Sequence, residues 1–242
     1  MIFFYYRGLI GMVDNNHYTM ISKNLKNVLE ELISSAQATG RDPSKIVLVA
    51  VSKTHSSEVI RWALEAGHRI FGENKVQESR KKWLGLKADY PDTRLHLIGP
   101  LQSNKVGIAL SIFDVIETLD RPKLARVLAR QIDKTGQRPD CFIQINTGEE
   151  DQKSGVLPLQ ADNFISFCRD ELDLPIRGLM CIPPINEEAS LHFALLSKIA
   201  KRNGLRELSM GMSSDYSLAV RFGATHVRVG TAIFGKRNDT MM

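Results

Sequence analysis

Short apolar runs rich in β-branched residues recur eight times along this chain, and amphipathic segments separate most of them. Such runs predict strands buried on both faces, as in a parallel sheet covered by helices. The predicted strands are 46–51, 69–71, 95–98, 115–118, 142–145, 178–182, 208–210 and 227–229. The helices predicted between them are 58–66, 75–86, 121–134, 159–172, 187–203 and 216–222.

This eightfold alternation predicts the α/β class and, most simply, a single (β/α)8 barrel of the TIM type. An open doubly wound sheet is the alternative. An extra N-terminal helix is predicted over 25–38, where apolar residues recur at helical spacing between a capping Ser22 and a terminating Gly40. With 242 residues, 43% of them hydrophobic, the chain is long enough for one such domain, which we place at 20–242.

Residues 1–19 differ in character from the rest of the chain. The apolar stretch 2–6 is interrupted by Arg7, and no charged segment precedes it. This pattern fits neither a signal peptide nor a membrane span, so we predict a disordered N-terminal extension and no membrane association. The cysteines Cys141, Cys168 and Cys181 lack CxxC spacing, which favours buried, reduced thiols in a cytoplasmic protein and no metal site.

The net charge of +5 is mild, and the basic residues are scattered. The densest basic clusters are 80–82 and 236–237, and aromatic residues do not interleave with either of them. We therefore predict no nucleic-acid partner. A modest positive field still favours an anionic ligand such as a phosphate ester.

Lys53 lies two residues beyond the first predicted strand, in the sequence Val51-Ser52-Lys53-Thr54-His55. In a barrel of this kind the chemistry takes place at the carboxyl ends of the strands. A lysine that is partly desolvated there has a lowered pKa and a nucleophilic amine. A solvated loop lysine is the alternative.

Small and hydroxylated residues follow the seventh and eighth predicted strands: Gly211, Ser213, Gly230 and Thr231. These two loops commonly hold phosphate in barrels, through backbone N–H groups and helix N-termini. Turn chemistry alone is the alternative. A P-loop is rejected, although 230–236 matches its Gly-x4-Gly-Lys portion, because Arg237 stands where the motif needs Ser or Thr.

A phosphate site beside a nucleophilic amine predicts a phosphorylated aldehyde that is held as an imine. Pyridoxal 5′-phosphate (PLP) is the most common ligand of this type, and its ring nitrogen needs an acidic or arginine partner. Arg228 lies inside the eighth predicted strand and is the candidate. A barrel with another phosphosugar-like substrate stays open as an alternative.

Several ordered motifs resemble the pyridoxal phosphate homeostasis protein family. The resemblance extends from about residue 25 to 235 and rests on the segments 50–54, 71–74, 77–78, 96–105, 153–155, 177–180, 210–215 and 228–235. It implies a barrel like the N-terminal domain of alanine racemase, with PLP on Lys53, phosphate around Ser213, Gly230 and Thr231, and Asn74 near the ring. His55, Ser56 and Lys75 depart from the common family pattern, and residues 1–19 have no counterpart.

The family resemblance implies a protein that buffers PLP and delivers it to apo-enzymes, without an established catalytic activity. A PLP-dependent racemase is the alternative, and it needs a base on each face of the ring. In related racemases a separate C-terminal domain of a partner subunit supplies the second base, and this chain ends soon after the eighth predicted strand. We therefore predict a monomeric carrier. Lys153, after the fifth strand, is a candidate second amine for handing PLP over, and a solvated loop lysine is the alternative.

Overall fold

Eight parallel strands form a closed barrel in which each strand pairs with its neighbours in sequence order and β8 pairs with β1. The structure is a computed structural model and describes residues 15–235. The strands are β1 Val47–Val51, β2 Ile70–Glu73, β3 Arg94–Leu97, β4 Val115–Leu119, β5 Asp140–Ile145, β6 Ile176–Cys181, β7 Glu207–Ser209 and β8 His226–Val229. The predicted (β/α)8 barrel is confirmed, and the open doubly wound sheet is wrong.

Helices surround the barrel and shield the outer faces of its strands. They are α1 Asn15–Gln37, α2 Ser57–Glu65, α3 Val76–Asp89, α4 Val106–Leu110, α5 Pro122–Thr135, α6 Ala161–Ser166, α7 Ala189–Arg202, α8 Tyr216–Arg221 and α9 Thr231–Phe234. A π-helical turn, Phe167–Glu171, continues α6. Sequence periodicity does not predict α4 and α9, because elements of five and four residues are too short to display a helical period.

The N-terminal helix α1 begins at Asn15, earlier than predicted. Residues 15–19 are helical, so the predicted disorder is wrong for that part of the extension. The ring of His17 stacks on that of Trp62 in α2, with centroids 5.3 Å apart, which gives this first turn a tertiary contact. The remainder of the predicted extension, residues 1–14, lies outside the described residues.

The barrel interior contains charged groups, whereas the strand pattern predicts apolar side chains on both faces. The inward-facing side chains of His96, Glu117, Ser209 and Arg228 are all buried. They lie near a small apolar cluster of Val115, Phe142 and Met180. The prediction of uniformly apolar strands is therefore wrong for the inner face, because these polar groups satisfy one another by hydrogen bonds that cross the barrel.

The three cysteines are buried free thiols, as predicted. Burial raises the pKa of Cys168 and Cys181 to about 12, so neither thiol is activated. Over residues 15–235, none of the helices combines the length and apolar character that crossing a membrane would require.

Candidate functional site

The predicted site residues converge on one arc of the barrel mouth. They lie within, or shortly after, four strands that are consecutive around the barrel: β7, β8, β1 and β2. The residues contributed by this arc are Gly211, Ser213, Arg228, Gly230, Thr231, Lys53 and Asn74. Closure of the barrel therefore brings together groups that lie up to 178 positions apart, between residues 53 and 231.

The backbone before Lys53 is held by a buried ion cluster. Ser52 is fully buried, and its hydroxyl donates to Oε1 of Glu73 over 2.7 Å. Nζ of Lys82 lies 2.8 Å from the same oxygen, and it also donates to the backbone carbonyl of Ser52 over 3.2 Å. Glu78 accepts from Lys82 over 2.9 Å. The end of β1 is thereby tied to β2 and α3.

The residue after Lys53 has a strained backbone. Thr54 adopts φ = 68°, a left-handed conformation that β-branched residues rarely occupy. Its N–H donates to Oε1 of Glu78 over 2.9 Å, which helps to keep the strained conformation. The cluster of Glu73, Glu78 and Lys82 therefore fixes the chain on both sides of Lys53, and strain of this kind is typical of functional sites.

The Lys53 loop lies directly beside the loop that follows β8. A Cβ added to Gly230 would lie 3.3 Å from the backbone oxygen of Val51. The ring of His55 packs against that of Phe234 in α9, with centroids 4.9 Å apart. The candidate amine and the candidate phosphate site are therefore neighbours.

The loop after β7 has a glycine that no larger residue could replace without a shift. Gly211 has φ = +92°, and a Cβ there would lie 2.5 Å from Cβ of Ala219. Oδ1 of Asp215 accepts from the N–H of Met212 over 2.6 Å, and Oγ of Ser213 accepts from the N–H of Gly230 over 3.2 Å. The hydrogen bond between Ser213 and Gly230 thus joins the loops after β7 and β8 into one cradle, which is the candidate phosphate site.

Asn74 follows β2 and contacts the loop that follows β3. A Cβ on Gly99 would lie only 2.3 Å from the backbone oxygen of Asn74, so this close approach requires glycine. The contact fixes the Asn74 backbone at the mouth beside the Lys53 loop.

Arg228 is held in the barrel below Gly230. Its Nη1 donates to Oγ of Ser209 over 2.6 Å, and its Nη2 donates to the carbonyl of Cys181 over 2.8 Å. Oε2 of Glu117 lies 3.9 Å from Nη1 and accepts from Oγ of Ser209 over 2.5 Å. These partners hold the buried guanidinium in one orientation.

Glu117 is fully buried and nonetheless ionised. Burial alone would raise its pKa, but a hydrogen bond from Nδ1 of His96 over 2.7 Å and the nearby charge of Arg228 bring it to about 2. Sequence reasoning missed this residue, as it missed Glu73 and Lys82. For Glu117 the available signal was an acidic residue within a predicted buried strand, because a buried charge requires a partner. Glu73 lies two residues beyond the predicted strand 69–71, so the same signal did not mark it.

Lys153 lies on the segment that follows β5. Because β5 is the fourth strand from β1 in either direction around the barrel, this segment stands across the mouth from the Lys53 loop. Nζ of Lys153 forms an ion pair with Oε2 of Glu150 over 2.5 Å, and the side chain is about one-third exposed. Lys153 therefore lies at the predicted end of the barrel, but on the side of the mouth opposite the Lys53 loop.

Comparison with known proteins places this geometry in a family. The profile of the alanine racemase N-terminal domain matches residues 28–238. The pyridoxal phosphate homeostasis protein of Vibrio alginolyticus is 38% identical over 228 residues, which cover 90% of this chain and 98% of that protein. The chain belongs to the pyridoxal phosphate homeostasis protein family.

Solved structures agree with this assignment. PipY of Synechococcus elongatus, a structure described as having PLP bound, is 36% identical with a TM-score of 0.76, and the alignment covers 89% of this homeostasis-family chain and all of PipY. Alanine racemase from Corynebacterium glutamicum is 16% identical with a TM-score of 0.65, over 93% of this chain and 62% of the racemase. The second likeness shows a shared fold only.

Proposed function

We propose that this homeostasis-family protein binds PLP as an imine on Lys53 and acts as a carrier that buffers the cofactor and delivers it to apo-enzymes. The observation that carries the proposal is the arc of β7, β8, β1 and β2, where Lys53 lies between a glycine-lined cradle and Asn74. We further propose one domain over 20–242 and a monomer in the cytoplasm. The PLP-bound PipY structure and the match over 98% of a named homeostasis protein support the proposal that the protein binds PLP and acts in its homeostasis.

The residues of the arc have distinct roles in binding. The amine of Lys53 would hold PLP through its aldehyde, with loss of one water, and the ion cluster behind it presets the position of the lysine backbone. Ser213 already accepts the Gly230 N–H, so its own hydroxyl proton can donate to the phosphate. Gly211 and Thr231 complete the cradle, and Asn74 borders the ring.

Arg228 is the proposed partner of the ring nitrogen. Bound PLP supplies an exchangeable aldehyde and a pyridine ring that withdraws electrons strongly only when its nitrogen is protonated. A guanidinium donates and does not accept, and Ser209 and Glu117 hold this one in position. The ring nitrogen would therefore remain unprotonated, which favours carriage of PLP over carbanion chemistry.

Replacing both Ser213 and Thr231 by alanine is expected to weaken PLP retention far more than either single change. Each lost hydrogen bond to a charged phosphate costs about 1.5–3 kcal/mol. Equilibrium dialysis against PLP measures the effect, and Ser214→Ala, at an exposed position of the same loop, is the control. Unchanged affinity in the double variant would place the phosphate elsewhere.

Replacing Lys153 by alanine is expected to slow the transfer of PLP to an acceptor apo-enzyme while the equilibrium content of PLP is preserved. The reason is that an amine across the mouth can take the aldehyde from Lys53 by imine exchange. Stopped-flow absorbance with an apo-aminotransferase reports the rate, and Lys81→Ala, at an exposed position of α3, is the control. An unaltered transfer rate would remove Lys153 from the proposal.

The carrier is expected to show no steady proton exchange at Cα of amino acids, which distinguishes it from a racemase. The PLP-loaded protein is incubated with a panel of L-amino acids in heavy water, and proton NMR follows the Cα signals. An alanine racemase serves as the positive control. Exchange that persists at steady rates and requires Lys53 would identify an enzyme.

A further inference from the structure

A cavity of about 580 Å³ opens at the amino ends of the strands, at the opposite end of the barrel from Lys53. The first residues of several strands line it, among them Val47, Ile70 and Val115. This size is in the range of small-molecule sites, which are mostly apolar and contain a few placed polar groups. The proposed cofactor site does not use this end of the barrel.

Part of the cavity lining is aromatic and uncharged. The rings of Phe142 and His226 meet edge to face, with centroids 5.1 Å apart. Burial lowers the pKa of His226 to about 4, so its imidazole is neutral at physiological pH. Together with the aliphatic strand ends, these rings offer a surface suited to a flat apolar group.

The charged groups around the cavity favour an anion. Lys45, Arg94 and Arg206 face two carboxylates, Asp140 and Glu207. Asp140 is already held by ion pairs from Arg94 over 2.9 Å and from Arg177 over 2.7 Å. Burial and the charge of Asp140 raise the pKa of Glu207. Over residues 15–235, Lys45 and Arg206 form no ion pair and remain available to a ligand.

A chain of hydrogen bonds leads from this cavity toward the cofactor end of the barrel. His96 lines the cavity and donates from Nδ1 to Oε1 of Glu117. The other oxygen of Glu117 accepts from Ser209, whose Oγ accepts from Arg228. A ligand that shifts His96 would therefore alter the hydrogen bonds that position Arg228, the proposed partner of the PLP ring nitrogen.

We propose that this cavity is a second binding site for a small aromatic anion, with Lys45 and Arg206 holding the anionic group, and that its occupancy is transmitted to the cofactor site through the chain from His96 to Arg228. The binding part of this proposal is independent of the proposed function, and only the coupling part rests on it.

Benzoate is the probe for binding, benzamide is its neutral isostere, and phenyl phosphate distinguishes a carboxylate site from a phosphate site. Isothermal titration of PLP-free protein is expected to detect benzoate, with benzamide weaker by about tenfold or more, because a charge-assisted hydrogen bond is lost. K45A/R206A is expected to lower benzoate affinity by at least about tenfold, and E58A, an exposed change elsewhere, is the control. Tighter binding of phenyl phosphate would identify phosphate esters as the natural class.

Four outcomes would overturn binding at this cavity. Three of them are no heat with any probe, equal affinity for benzoate and benzamide, and unchanged affinity in K45A/R206A. Loss of benzoate binding in K53A would also do so, because it would place the probe at the barrel mouth. These titrations use PLP-free protein, so failure of the PLP proposal leaves them interpretable.

The coupling is tested on the PLP-loaded protein. Saturating benzoate is expected to shift the visible absorption of the bound cofactor in the wild type and to leave K45A/R206A unshifted. A spectrum that stays constant while calorimetry shows a full site would overturn the coupling and leave the binding site standing. Absence of any PLP spectrum would instead contradict the proposed function.

Discussion

Replacement of Lys53 by alanine is expected to abolish the visible absorption of the PLP-loaded protein. Without the ε-amine no imine can form, and the cofactor retains only the contacts of its phosphate and ring. Borohydride reduction of the wild type followed by peptide mass spectrometry should locate a pyridoxyl group on Lys53. The same treatment of Lys53→Ala should yield no pyridoxyl peptide.

Lys53→Arg is the matched control, because it preserves the positive charge and the length of the side chain but cannot form an imine. If the result depends on the amine and not on charge, both variants lose the absorption band to the same extent. A pyridoxyl group found reproducibly on another lysine, or a visible spectrum that survives in Lys53→Ala, would refute the assignment. Circular dichroism should show that both variants keep the wild-type fold.

Replacement of Glu117 by alanine is expected to lower the free energy of unfolding by about 3–5 kcal/mol at neutral pH, because removal of one partner leaves an uncompensated buried charge. The charge left behind is that of Arg228, whose side chain is almost fully buried. Urea unfolding followed by circular dichroism measures the change. Asp170→Asn, at an exposed carboxylate, is the control and should leave the urea midpoint almost unchanged, because exposed ion pairs contribute little to stability.

The pH dependence of this effect has a definite sign. Glu117 has a folded-state pKa of about 2, below the ordinary glutamate value of 4.5, so its ionisation stabilises the fold above about pH 4.5. That contribution falls as the pH decreases from 4.5 to 2. The stability gap between wild type and Glu117→Ala should therefore narrow over this range. A gap that stays constant with pH would show that Glu117 acts through its volume and not through its charge.

A double replacement tests whether the instability of Glu117→Ala comes from the unpaired charge of Arg228. Glu117→Leu combined with Arg228→Met removes both members of the buried pair, and replacement of such pairs by apolar residues is often neutral for stability. We expect the double variant to unfold at a higher urea concentration than Glu117→Ala does. It should bind PLP with an altered spectrum, because the proposed partner of the ring nitrogen is gone.

Local pattern was enough to predict the barrel. Each observed strand begins and ends within two residues of its prediction. The prediction succeeds because strands covered by helices are apolar, whereas the loops that bound them are polar. The position of Lys53 after β1 follows from the same pattern. The small residues at 211 and 230 also mark their loops in the sequence. Only the tertiary structure shows that position 211 requires glycine, because a Cβ there would lie 2.5 Å from Cβ of Ala219.

Pairings between distant residues were decided by the tertiary structure alone. Ser209 and Glu117 lie 92 positions apart, and Lys82 and Ser52 lie 30 apart. Hydrophobic periodicity carries no information about such partners, because it records only which face of an element is buried and not what that face meets across the barrel. The sequence by itself determined the order of strands and the position of the amine. Closure of the barrel decided how the charges inside it are satisfied and where a cavity opens at its other end.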